Sequence, residues 1–143
     1  MDREIRILLD ERALSGLLNR YCHTMDTGDN AGWLDCFTAD AVYEVGLPNG
    51  TVFVDLHGRD DFKTFIANYP VRQGHKHVYV APVYDVNPEA GTATIETYFF
   101  MLAGDATHSG VSSLGRCHDE CVRTDAGWKI KLRRVVAEAM TPE

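Results

Sequence analysis

Apolar side chains recur early in the chain at Leu14, Leu17, Leu18, Tyr21, Cys22 and Met25, with polar residues between them. Spacing of three and four residues puts them on one face of a helix over residues 8–27, because 3.6 residues complete a turn. The stretch "TGDN" ends that helix, with Gly28 placed to cap its C-terminus. In "AGWLDCF", Trp33, Leu34 and Phe37 form the apolar face of a short second helix. "AVYEV" and "TVFVDL" then read as two short strands about the turn "LPNG". "GRDDFKTFIANY" returns to helical spacing through Phe62, Phe65, Ile66 and Tyr69.

From residue 75 the period changes to that of strands. "HKHVYVAPVYDVN" ends at the turn "NPEAG"; "TATIETYFFMLA" and "SSLGRCHDECVRT" follow; "DAG" then turns into "WKIKLRRVVAEA". Helices first and long antiparallel strands afterwards predict an α+β fold. Such a sheet, strongly curved, wraps around the long N-terminal helix as an α+β barrel or cone with an internal apolar pocket at one end. Val83, Val86, Thr94 and Thr97 are read as outward residues of the long strands, and the outer sheet face is where a homo-oligomer (dimer or trimer) is expected to form.

At 143 residues the chain is expected to be a single domain, 1–143. A net charge of −7 excludes a nucleic-acid surface, which needs a basic patch. No apolar run approaches the ~20 residues of a membrane span, and "MDREIRILLDERAL" is too charged for a signal peptide. A cytoplasmic protein is expected. Cys22, Cys36, Cys117 and Cys121 show no Cys-x-x-Cys spacing and read as reduced thiols. There is no phosphate-cradling glycine loop, nucleotide fingerprint or nucleophile elbow. His75 and His77 share a strand face but lack a firm third ligand, so neither metal nor cofactor is expected.

Asp26 arrives where the apolar stripe calls for a core residue. It either ends the helix, a common use of aspartate, or faces the interior paired, since an unpaired buried carboxylate is costly. His77 starts the long strand with Tyr79 on its face. Read alone it is a surface histidine; paired with Asp26, its tautomer is fixed and its basicity raised. Tyr21 is either core or a hydrogen-bond donor to a substrate oxygen. Strict alternation from Trp128, Ile130 and Leu132 turns Arg134 inward, and a bulge is needed to turn Arg133 inward instead. Cys117, Asp119 and Cys121 share one strand face, which makes Asp119 a second carboxylate if that face lines the pocket. Trp33, Phe37, Phe62, Tyr79, Tyr98, Phe100 and Met101 are the expected apolar lining.

The stretches "NRYCHTMDTGDNAGWLDCFTADAVYEV", "LHGRDDFKTFI", "HKHVYVAPVYDVN" and "GRCHDECVRTDAGWKIKLRRV" resemble the SnoaL-like branch of the nuclear transport factor 2-like superfamily, over nearly the whole chain. The resemblance implies the cystatin-like version of the fold. The nearest catalytic wording is that of dehydratases and eliminases such as scytalone dehydratase, hexachlorocyclohexane dehydrochlorinase and bile-acid 7α-dehydratase. It implies an aspartate at Asp26, a histidine at His77, a tyrosine at Tyr21 and an arginine at Arg133 as the catalytic set. The expectation is a cofactor-free acid–base enzyme, a lyase acting on a small hydrophobic ring compound such as a steroid, terpenoid, polyketide or aromatic catabolite. An isomerase or cyclase using the same Asp–His pair stays open, as does a non-catalytic assembly module of the oxygenase β-subunit type. Epoxide opening is a further alternative and requires Asp119 beside Asp26.

Overall fold

The computed structural model describes residues 2–141. Its elements follow as α1 (Arg3–Thr27), α2 (Asn30–Asp35), β1 (Phe37–Gly46), β2 (Val52–His57), α3 (Gly58–Ala67), β3 (Lys76–Asn87), β4 (Thr92–Gly104), β5 (Ser109–Thr124) and β6 (Gly127–Met140). This is the expected α+β architecture, with a six-stranded curved sheet in the order β2-β1-β6-β5-β4-β3. The sheet does not close, and β2 and β3 are its edges. All pairings are antiparallel except β1 with β6, which is parallel. That pairing inserts the last strand beside the first and brings β6, with β3, against α1.

Helix α1 begins at Arg3, earlier than its apolar stripe predicts. The Asp2 carboxylate accepts from the Glu4 backbone N–H at 2.8 Å and satisfies an otherwise orphaned donor. Arg3 pairs with Glu89 at 2.7 Å and Arg6 donates to the Pro88 carbonyl at 3.1 Å, so the first turns rest on the β3–β4 turn. Leu14, Leu17, Leu18, Tyr21, Thr24 and Met25 form its buried face. At the other end Gly28, at φ 78°, donates its N–H to the Thr24 carbonyl. Helix α2 stops at Asp35, so Phe37 opens β1 instead of ending the helix. It still packs on Trp33, with ring centroids 4.8 Å apart. Arg59 of α3 donates to the Leu34 and Phe37 carbonyls at 2.6 and 3.0 Å, tying α3 to the end of α2 and the start of β1.

Two bulges decide which side chains reach the interior. In β3, Val80 pairs with Tyr98 and Val83 with Glu96, so the strand carries one extra residue, and Ala81 takes φ 53°. Beyond it Tyr84 and Val86 turn to the core, while Val83 stays outside. Val86 is therefore inward, contrary to uninterrupted alternation. In β6, Ile130 pairs with Cys121 but Leu132 with Glu120, leaving Lys131 extra. The inward set passes from Ile130 to Arg133, Val135 and Ala137. Arg134 is consequently outward and binds Glu44 at 3.0 Å, so simple alternation selects the wrong arginine.

Strand β4 corrects a second expectation. Ala93, Ile95, Thr97 and Phe99 are buried, whereas Tyr98 is 64% exposed. Thr97 is inward and Tyr98 outward, and the half-buried Phe100 shares the Tyr98 phase. The run "TYFFML" is apolar or amphipathic on both phases, so its pattern does not select a face.

Close approach of β5 to β6 generates a prediction. A Cβ at Gly115 would stand 1.9 Å from the Val136 carbonyl oxygen and 3.0 Å from the Phe99 ring, whereas one at Gly110 meets nothing within 4 Å. Gly115→Ala should cost about 1–3 kcal/mol in urea unfolding, as overpacking does. Gly110→Ala should stay within about 0.5 kcal/mol of the native protein.

Candidate active site

The C-terminal turn of α1 crosses the start of β3, and one carboxylate joins them. Asp26 Oδ2 accepts the His77 backbone N–H at 3.0 Å, and Oδ1 receives the His77 ring Nδ1–H at 2.5 Å. The two side chains are only 9% and 12% exposed. Donation to a carboxylate fixes the proton on Nδ1 and leaves the Nε2 lone pair free to act. The partner of Nε2 is the Tyr69 hydroxyl at 3.4 Å. Burial pushes the Tyr69 phenol up to about 12, so it stays protonated and donates.

The electrostatics of His77 depart from the expected rise in basicity. Burial lowers its pKa below the ordinary imidazole range and outweighs Asp26, which acts to raise it. Arg133 and His75 add to the lowering. A neutral imidazole is therefore the resting form at neutral pH.

Arg133 lies fully buried with its guanidinium carbon 3.9 Å from the Tyr21 ring centroid and 4.3 Å from that of Tyr79. Its Nη1 is 3.6 Å from Asp119 Oδ1, and Asp119 is likewise fully buried. Burial opposes the charge on Arg133, but Asp119, Cys117 and the two tyrosines together raise its pKa. Two aromatic faces and one carboxylate thus replace the lost water. Among the described residues none of the three guanidinium nitrogens has a hydrogen-bond partner, and the Thr97 hydroxyl also lacks one. Burial pushes the Asp119 carboxyl up, with Arg133 pulling it back. Its other oxygen faces the Cys117 thiol at 3.6 Å.

Tyr21 is fully buried, and its hydroxyl lies 3.0 Å from that of Tyr43. Burial holds the Tyr21 phenol well above its ordinary range, so the pair stays protonated. Its ring stands edge-on to His77 and Tyr79, at centroid distances of 6.2 and 5.8 Å. Trp33, Phe37 and Phe62 form a packed aromatic wall with centroids 4.8–5.7 Å apart. Asp26, His77, Tyr21, Arg133, Tyr79 and Asp119 thus gather on the inner side of the sheet, and Tyr98 lies away from them.

Three residues of this interior escape a reading by spacing. Tyr43 and Tyr69 sit on apolar stripes and read as plain core, although a buried phenol always needs a partner. Phe99, 5.9 Å from Tyr79, takes the place expected of Phe100. The thiols are all free; burial pushes Cys22 up to about 11 and Cys117 well above its usual value, which disfavours thiolate chemistry. Among the described residues no group of three or more His, Cys, Asp or Glu is placed to hold a metal ion. No described helix is long and apolar enough to cross a membrane.

Known structures share this arrangement of elements. Rv3472(D26N), a protein of unknown function from Mycobacterium tuberculosis, aligns over 99% of this chain and 79% of its own, with a TM-score of 0.81 at 23% identity. A Novosphingobium aromaticivorans protein provisionally described as a scytalone dehydratase aligns over 98% and 91%, at 0.78 and 21%. One from the same organism, provisionally described as the β-subunit of an aromatic-ring-hydroxylating dioxygenase, aligns over 96% and 94%, at 0.79 and 12%. At these identities the likeness is one of fold. No curated protein sequence matches the chain significantly. Residues 6–134 match the SnoaL-like domain, nearly the full length, and the chain therefore belongs to the SnoaL-like family of the nuclear transport factor 2-like superfamily.

Proposed function

We propose that the protein is a cofactor-independent acid–base enzyme in which His77 removes a proton from carbon in a small hydrophobic ring compound. The observation that carries this reading is the double acceptance by Asp26 of the ring and backbone N–H groups of His77. A base must present a fixed lone pair and withstand the charge it takes on. Asp26 orients the ring beforehand and offsets part of the cost that burial places on the imidazolium. Arg133 and the Tyr21–Tyr43 phenol pair are the donors that would face negative charge developing on an enolate oxygen or a departing hydroxyl or halide. Loss of that group makes the enzyme a lyase, the preferred assignment; return of the proton elsewhere makes it an isomerase or cyclase. The structural neighbours provisionally described as a scytalone dehydratase and as an oxygenase β-subunit are compatible with a lyase and with an assembly subunit respectively. Asp119 is engaged by Arg133, which disfavours epoxide opening between paired carboxylates.

A non-catalytic assembly role has its own observation. Val83 and Tyr98 stand 65% and 64% exposed on the outer sheet face, suited to a homo-oligomeric contact of dimer or trimer. Under that reading nothing requires the His77 lone pair to be free.

Activity separates the two. With cyclic ketones in heavy water, the native protein should catalyse deuterium exchange at the carbon next to the carbonyl, followed by NMR. His77→Gln should lose about 10²–10⁴-fold of that rate. Equal rates in the two proteins would remove the acid–base assignment.

The pH dependence follows from the depressed His77 pKa. The rate should rise with pH as His77 loses its proton and level off below pH ~6.5, the ordinary imidazole value. Asp26→Asn should lower the His77 pKa further, moving the rise to lower pH while reducing the plateau. Because the folded state disfavours imidazolium, this group's contribution to stability is present above pH ~6.5 and declines as pH falls through the folded pKa. Proton NMR of the ring, with thermal unfolding from pH 7 to 5, measures both.

A further inference from the structure

Tyr69 is half-buried and packs against the His77 imidazole. It follows the end of α3, and its hydroxyl is the partner of Nε2. The same residue lines a groove of about 520 Å³ between β2 and α3, together with Leu56, Phe65, Pro70, Thr64 and Asn68. Phe65 and Tyr69 have ring centroids 5.8 Å apart, and Tyr69 and His77 6.1 Å, so aromatic surface runs unbroken from the groove to the imidazole. The volume lies in the range of pockets that hold small molecules. Asp55 and Asp61 also line it, in a chain of net charge −7, so its field opposes an anion.

We infer that this groove is the ring-binding subsite of the proposed enzyme, and that Tyr69 is a positioning residue holding the His77 Nε2 lone pair until a neutral, oxygen-bearing ring compound takes over its hydrogen bond. The inference rests on His77 being the base and adds where the substrate lies and what charge it carries. A 3.4 Å contact is at the weak end of hydrogen bonding, so an incoming oxygen competes for the phenol at little cost. The displaced O–H then donates to that oxygen and stays beside the lone pair it has released. The high Tyr69 pKa agrees with a permanent donor, since His77 is too weak a base to take its proton.

The probe is 2-naphthol, neutral at pH 7, added to the intact native protein and followed through the His77 ring resonances and the Leu56 and Phe65 signals. The expected result is that all three move together. The 2-naphthoate anion should bind at least about tenfold more weakly, a difference of roughly 1.4 kcal/mol. Thr64→Trp, which fills the groove from an exposed helix position, should abolish the naphthol effect on His77 while leaving the His77 pKa native. Tyr69→Phe should raise the His77 pKa, because the lost donor favoured the neutral ring, a sign opposite to that of Asp26→Asn. The inference is overturned if naphthol leaves His77 unmoved, if it acts equally in Thr64→Trp, if naphthoate binds as well, or if Tyr69→Phe leaves the pKa in place. Failure of the base reading looks different: naphthol fills the groove as described, but His77→Gln exchanges deuterium at the native rate.

Discussion

The interior is organised by one carboxylate that accepts two hydrogen bonds from a single residue. Asp26 ends α1 and His77 begins β3, and 51 positions of chain separate them. Because Asp26 takes both the backbone and the ring N–H of His77, it sets the seat of the helix on the strand and the direction of the imidazole together. A single bond to the ring would leave the strand free to slide, and one to the backbone would leave the ring free to rotate. Charge-assisted bonds in a poorly solvated place are strong enough to hold both. The position of Tyr69 over Nε2, and of Tyr21 edge-on to the ring, follows from that fixed orientation.

Arg133 is the second constraint, and it works by filling space. A fully buried guanidinium is costly, and this one is held by two tyrosine faces and a carboxylate. Its nitrogens keep unused donor capacity inside the protein. An interior built for stability alone would place an apolar side chain there. Unmet donors and a neutral imidazole thus lie within one packed aromatic cluster, which is the arrangement that the proposed acid–base reading draws on.

Much of this was legible in the chain. Leu14, Leu17, Leu18, Tyr21 and Met25 mark the buried face of α1, Gly28 its end, and alternation after residue 75 marks the long strands. Asp26 stood out as a carboxylate on an apolar stripe, and His77 as the histidine at a strand start. Arg133 was legible only as one of two neighbours, because the choice depends on a bulge at Lys131 that no local pattern announces. Phe99 was hidden by a run apolar on both phases, and Tyr43 and Tyr69 by their ordinary appearance as core residues. The direction of the His77 pKa shift was also out of reach, since it balances a charge that can be guessed against a burial that cannot.

The sequence by itself determined the element types, their order and the residue kinds available for chemistry, because period, caps and turns are local properties of a chain. Only the tertiary structure decided which side chains meet. Bulges set strand phase through pairing with distant residues, and the parallel pairing of β1 with β6 sets the last strand beside the first. Burial, which keeps His77 neutral and the tyrosines protonated, is a property of everything packed around a residue at once.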